Sequence, residues 1–283
     1  MKKIKSYAKV NLFLKVTKRL KNFYKLHSLI VQINLYDEIL IKENSKKKNT
    51  IFFFGKYKAN TQNNTVINLL KLMKKKFSSI RYKNFDIYIK KNIPNGSGLG
   101  GASSNAVTVF NFIKKKYKLQ ISGKESRKLL AKIGKDCPVF LNQKVKLIKS
   151  SGEQFKEYKD SPKLNMLLIY PNLTLSTKKV FNKLRKISNI SSKRSINFKD
   201  KKKLLEVCKY YGNDLLDPAI KIVPRLKTLI DLINKIEDSN FYSMTGSGSA
   251  FFLIFSKKKS LLNAQKIIKK YKRSLWTKIV KTI

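Results

Sequence analysis

Histidine is almost absent: His27 is the only one in 283 residues, and cysteine is confined to Cys137 and Cys208. A single histidine cannot build a His-based metal centre. Two cysteines without a Cys-x-x-Cys spacing exclude a disulfide framework. Carboxylates are scarce too, with 16 Asp and Glu against 64 Lys and Arg, a net charge of +48, and only seven of the basic residues are arginine. No apolar run approaches the roughly 18 residues of a membrane helix. The opening Met1-Lys-Lys-Ile-Lys5 could pass for the start of a signal peptide, but Lys9, Asn11 and Lys15 interrupt the apolar stretch that should follow. These absences predict a soluble, cytoplasmic protein of a reducing compartment, without a membrane partner.

Apolar residues make up 42% of the chain, with 17 Phe and 13 Tyr, which excludes wholesale disorder and allows one large domain or two ordinary ones. Lysines run from Lys2 to Lys281 without forming a block, and Ile, Asn, Phe and Tyr are high alongside them. That pattern fits a gene-wide preference for A+T-rich codons better than a dedicated nucleic-acid face. Non-specific, salt-sensitive attraction to polyanions follows from the charge in either case.

Ala8, Val10, Leu12, Leu14 and Val16 alternate with Lys9, Asn11, Phe13 and Lys15, predicting a strand that sets Lys9 and Asn11 side by side on the face opposite the buried one. Leu29 to Ile41, Ile51 to Phe54, Phe85 to Ile89 and Leu164 to Tyr170 also read as strands, and Val66 to Phe77 as a helix. Ser122 and Glu125 form a capping box for a helix that stops at Gly134. Lys186 to Lys203 reads as a solvated loop, helical spacing returns around Leu226 to Ile233, and Thr245 to Ser249 is a turn into a strand. Strands and helices mix in both halves, so the class is α+β in two lobes, divided near residue 160.

The strongest local signal lies between a strand and a helix, where four glycines and three serines crowd into Gly96 to Ser104, with Ser103 or Ser104 as the expected N-cap. Glycines let backbone approach a phosphate, and free N–H groups at a helix start point at the anion. Gly96-Ser-Gly-Leu-Gly-Gly101 satisfies G-x-G-x-x-G, but the acidic residue a dinucleotide fold needs about 20 residues on is missing. No lysine lies between Pro94 and Ser104, which excludes a Walker A loop.

The stretch from Pro94 to Ala106 resembles the ATP loop of the GHMP kinases. Within that family, Tyr7-Ala-Lys-Val-Asn-Leu-Phe-Leu14 and Gly134-Lys-Asp-Cys-Pro-Val-Phe140 resemble the branch acting on a cytidine-diphosphate-linked methylerythritol in non-mevalonate isoprenoid synthesis. Ser151-Gly-Glu153, Asn213-Asp-Leu215 and Thr245 to Ser249 fall at matching places. The resemblance spans the whole chain and is strongest over residues 7–141. It implies the two-lobed GHMP kinase fold, with a ribosomal-protein-like N-terminal lobe over 1–160 and a smaller α+β lobe over 161–283. It implies transfer of a phosphoryl group from ATP, with Mg²⁺, to the acceptor's tertiary 2-hydroxyl.

Residue by residue, the resemblance makes Asp136 the base and Lys9, beside it, the cation that keeps it ionised. Asp136 also stands where it could merely cap the turn ahead of Pro138. ATP is assigned to Pro94, Asn95, Gly96, Ser97, Gly98, Leu99, Gly100, Gly101, Ala102, Ser103 and Ser104. The acceptor is assigned to Asn11 and to a cytosine sandwich of Phe23 and Phe181. Tyr24 replaces a family histidine that contacts the base, and Ala102 replaces a family glycine. His27 reads as structural and both cysteines as incidental, although Cys137, next to Asp136, invites alkylation. No protein ligand for Mg²⁺ is evident beyond Ser104 and the phosphates. Another GHMP kinase such as homoserine kinase, a decayed kinase kept as a scaffold, or an RNA-binding protein on a related fold are the rival readings. A monomer or weak homodimer without a specific nucleic-acid partner is expected.

Overall fold

The computed structural model describes residues 3–21, 23–57, 64–150, 152–190 and 194–283. Its elements run β1 (Ile4–Arg19), β2 (Tyr24–Asn44), β3 (Thr50–Gly55), α1 (Thr65–Lys76), β4 (Asn84–Lys91), α2 (Gly101–Lys116) and α3 (Gly123–Ile133). A 3-10 turn (Cys137–Phe140), β5 (Val145–Ile148), β6 (Phe155–Tyr158), β7 (Asn165–Tyr170), α4 (Thr177–Asn182), α5 (Lys201–Tyr211), α6 (Leu216–Ile222) and α7 (Arg225–Asn234) follow. β8 (Phe241–Met244), β9 (Phe251–Phe255), α8 (Lys258–Tyr271) and β10 (Trp276–Lys281) complete the order.

These elements form two compact units that interleave in sequence: 1–8, 35–95 and 100–143 make the first, and 9–34, 96–99 and 144–283 the second. The division expected near residue 160 is displaced for a physical reason. β5 pairs with Ser28–Ile30 of β2 and β6 pairs with β5, so residues 144–160 belong with the early part of β2 in the second unit. β1 and β2 each pass from one unit to the other.

In the first unit, β4 runs antiparallel to the later half of β2, from Glu38↔Lys90 to Asn44↔Asn84, and parallel to β3. Packed helices α1, α2 and α3 accompany these strands. Asn64 caps α1 by accepting from the N–H groups of Val66 and Ile67 at 3.0 and 2.9 Å, worth about 1 kcal/mol. Lys74, Lys75 and Lys76 close α1 at the end where the helix dipole favours cations. The capping box of Ser122 and Glu125 is formed as expected.

The second unit is built on an antiparallel sheet of order β10-β7-β9-β8. The continuous apolar run of β7 reflects its interior place, between β10 and β9. Leu167, Ile169, Phe251 and Leu253 of the sheet pack with Leu229 and Ile233 of α7 and with Leu261 and Ile268 of α8. The loop read through Lys203 ends earlier. Asp200 accepts from the N–H of Lys203 at 3.0 Å and starts α5 at Lys201; residues 191–193 lie outside the described residues.

Carboxylates surrounded by so many lysines become strongly held. Glu43 accepts from Lys116 Nζ at 2.6 Å and Tyr117 Oη at 2.7 Å, and Lys83 lies 3.0 Å away. These partners, Lys116 first, lower its pKa from 4.5 to about 2. A carboxylate depressed by folding stabilises the fold above its unfolded pKa and loses that contribution as pH falls through the folded one. The stability difference between wild type and Glu43→Gln is therefore expected to shrink between pH 4.5 and about pH 2. Urea midpoints at matched pH measure it, and a difference that does not change over this range contradicts the assignment.

Candidate active site

The glycine-rich segment leads into α2, whose first residue is Gly101 and whose N-cap is Gly100, at φ +75°. Ser103 and Ser104, expected as the cap, lie inside the first turn instead. Among the described residues no side chain caps the helix, and its first intrahelical bond is Ser104 N to Gly100 O at 2.9 Å. An uncapped helix start leaves its first backbone donors available to an anion. Ala102 is exposed, so its methyl group crowds nothing in the helix, and its carbonyl accepts from Thr65 Oγ1 at 2.9 Å. Ser104 is buried and accepts from Ser6 Oγ at 2.8 Å. Pro94 is buried and Asn95 exposed.

In the same unit, the turn after α3 carries Asp136. Its carboxylate is exposed and does not cap the 3-10 turn that follows, so the bland capping role is not the one it plays. The turn packs on α2, and Cys137 hydrogen-bonds Ser103 in the first turn of that helix. Burial, with a smaller contribution from Asp136, pushes the Cys137 thiol up to about 12. With the side chain fully buried, the alkylation sensitivity read from its position beside Asp136 is not supported. Cys208 is equally buried, its thiol also raised to about 12.

The second unit holds Gly96 to Leu99 and the residues those four approach. Lys9 N donates to Leu99 O at 3.0 Å, and Ala250 N to Ser97 O at 3.1 Å, which ties the loop to β1 and to the turn before β9. Gly98 has φ +80°, and a Cβ there would lie 2.4 Å from Thr245 O and 2.9 Å from Gly248 O. Gly96 carries the same requirement toward Thr174.

Lys9 is 2% exposed, on a strand whose two faces are both buried, not only the one carrying Ala8 and Val10. The opposite face is covered locally, with Phe13 meeting His27 and Tyr211 at ring distances of 5.2 and 4.7 Å. His27 also meets Tyr211 edge-on, which gives it a packing place. Lys9 Nζ donates to Asn11 Oδ1, and Asn11 Nδ2 donates to Ser28 Oγ at 2.9 Å. Asn11 N donates to Thr245 Oγ1 at 3.1 Å, while Asn213 Nδ2 donates to Met244 O and Gly246 O at 2.7 and 2.9 Å. Asn11, expected to touch the acceptor, is only 4% exposed and spends both amide atoms inside the protein. It orients Lys9. Ser28, Asn213 and Thr245 complete this network. Asn213 and the glycine-bearing turn at Thr245 both fall in segments that the sequence singles out, whereas Ser28 does not.

Tyr24 stacks on Phe181, with ring centroids 4.7 Å apart at 30°, and its hydroxyl donates to Phe181 O at 3.3 Å. Both rings pack against the core of the second unit, whereas Phe23 is 36% exposed. Thus Tyr24, which replaces the family histidine, is held by the ring expected to take the base. Ser151 lies outside the described residues.

Comparison with known proteins identifies the family and the fold. Residues 64–143 match the GHMP kinases N terminal domain. The chain is 34% identical over 274 residues to the 4-diphosphocytidyl-2-C-methyl-D-erythritol kinase of Pelagibacter ubique, covering 96% of this chain and 94% of that one. It is 33% identical over 285 residues to the enzyme of the same name from Francisella tularensis subsp. novicida, covering 100% and 96%. A crystal structure of 4-(cytidine 5'-diphospho)-2C-methyl-D-erythritol kinase superposes with a TM-score of 0.76 at 24% identity, covering 99% of each chain. One of mevalonate kinase does so at 0.67 and 15% identity, covering 100% of this chain and 99% of that one. The two-lobed α+β fold is therefore that of the GHMP kinases. With near-complete coverage at more than 30% identity, the chain belongs to the 4-diphosphocytidyl-2-C-methyl-D-erythritol kinase family.

Proposed function

We propose that this protein transfers the γ-phosphoryl group of ATP to the 2-hydroxyl of 4-diphosphocytidyl-2-C-methyl-D-erythritol. The observation that carries the kinase reading is the uncapped start of α2 behind a glycine-rich loop, a backbone site for phosphate oxygens. The names of the full-length relatives supply the acceptor.

In the reaction, the acceptor oxygen bonds to Pγ, the bond from Pγ to the β-γ bridging oxygen breaks, and ADP leaves. Asp136 takes the hydroxyl proton, and the Lys9 ammonium, aimed by Asn11, offsets negative charge on the transferring group. Among the described residues no three His, Cys, Asp or Glu side chains gather into a metal cage. Mg²⁺ would be held chiefly by the ATP phosphates, the ordinary mode for this ion, with Ser104, whose hydroxyl accepts from Ser6, as a candidate protein ligand. No helix among the described residues is long and apolar enough to cross a membrane, and we place the reaction in the cytoplasm, in a monomer or weak homodimer.

The test is ADP release with ATP, Mg²⁺ and each of three acceptors: the cytidyl-linked methylerythritol, homoserine and mevalonate. Moderate salt suppresses polyanion attraction. Turnover with the first alone, lost in Lys9→Ala, is expected. Turnover with either of the others and none with the first rejects the assignment.

A further inference from the structure

Lys91, the last residue of β4, has only 3% of its side chain exposed, and its ammonium pairs with Asp37 of β2, which is fully buried. Asp37 also accepts from Asn92 N at 2.7 Å, Ile93 N at 2.8 Å and Asn105 Nδ2 at 3.1 Å. Four donors use the whole accepting capacity of a carboxylate. Asn92 and Ile93 lead directly into Pro94 and the glycine-rich loop, whereas Asn105 lies on α2 beyond it. One buried carboxylate thus ties the entry of the loop to the helix at its exit.

The ammonium itself lies under the helix start. A Cβ built on Gly101 would lie 3.2 Å from Lys91 Nζ, and 3.1 Å from Ile93 Cγ2. A cation at a helix N-terminus has the wrong sign for the helix dipole, so it does not serve the helix. Stability does not account for it either, since apolar residues of similar volume commonly match or exceed a buried ion pair. What the pair does serve is the loop entry and helix start that would meet an anion in front of the uncapped N–H groups.

We infer that Lys91, clamped by Asp37, is a positioning residue for ATP: together they fix the entry of the glycine-rich loop and the start of α2 in their anion-binding geometry. The inference rests on the kinase reading of the loop. Its test uses the full-length enzyme with Lys91→Met, which keeps the apolar stem, and the double variant Lys91→Met/Asp37→Asn, which leaves no unpaired buried charge. ATP and acceptor are varied separately, and nucleotide binding is titrated directly.

Both variants are expected to raise the KM for ATP about tenfold, the size of one charge-assisted interaction. Direct nucleotide binding weakens by the same factor, and the acceptor KM stays within about twofold. The double variant recovers thermal stability without recovering the ATP KM. A lowered Tm with both KM values unchanged, in an enzyme whose wild type binds ATP, overturns this inference and leaves the kinase reading intact. A wild type that binds no adenine nucleotide overturns both.

Discussion

Asp136→Asn is expected to keep the fold and lose roughly 10²- to 10⁴-fold in kcat, the range that a positioned general base supplies. The two halves of this result have separate causes. The carboxylate is exposed and does not cap its own 3-10 turn, so exchanging one oxygen for an amide removes no capping bond. Stability within about 1 kcal/mol of wild type follows, since any contact of an exposed carboxylate is worth no more than that. Chemistry, by contrast, loses the only atom assigned to take the hydroxyl proton.

Phosphoryl transfer has a loose transition state in which the nucleophile's proton departs late, which pulls the effect of a base toward the lower end of the range. An amide also donates where a carboxylate accepts, which misaligns the hydroxyl and pushes the effect upward. Rapid-quench ADP formation, with Tm measured on the same preparation, separates the two halves. A variant with kcat within threefold of wild type would show that Asp136 is not the base, and a variant that unfolds would show that its side chain is structural after all.

Much of this site could be read from residues alone because its signals are local. The glycine-rich loop, the alternation around Lys9 and the capping box at Ser122 each need only a few neighbouring positions. What escaped depends on distance in sequence. For Asn11, nothing nearby in sequence says that Ser28 and Thr245 are its bonding partners. Lys91 was invisible as one lysine among many until the fold placed Asp37 against it. Lysine excess also hid α8, where the stripe of Leu261, Ala264 and Ile268 is diluted by eight polar or basic residues from Lys258 to Lys270. The start of α2 was misplaced because a serine is normally the better cap. Gly100 takes that position at φ +75°, and the first-turn donors remain uncapped by any side chain.

Gly98→Ala is expected to cost about 2–5 kcal/mol of stability and to weaken both ATP binding and turnover. Two costs add. A non-glycine residue in the left-handed region costs about 1–2 kcal/mol, and Gly98 sits at φ +80°. Overpacking adds about 1–3 kcal/mol when neighbours cannot yield. Here the neighbours are the carbonyl oxygens of Thr245 and Gly248, 2.4 and 2.9 Å from the new methyl group. Neither is a flexible side-chain end. Their turn is held by Gly248 N to Thr245 O at 3.0 Å and Thr245 N to Ala250 O at 2.9 Å, and Ala250 N holds Ser97 O in return.

Moving the turn also moves Thr245 Oγ1, which anchors the backbone of Asn11, whose amide oxygen aims Lys9. The loss therefore reaches kcat as well as nucleotide affinity. Gly123→Ala is the matched control. Gly123 opens α3, nothing lies within 4 Å of a built Cβ, and alanine is the better helix former. Urea denaturation and nucleotide titration of the two variants decide the matter. If Gly98→Ala stays within about 1 kcal/mol of the Gly123→Ala control, the contact between the loop and the Thr245 turn is not what holds Lys9 in place. If it falls as expected while Gly123→Ala does not, the two glycine-bearing segments act as one device, in which close backbone approach sets the geometry of a single lysine.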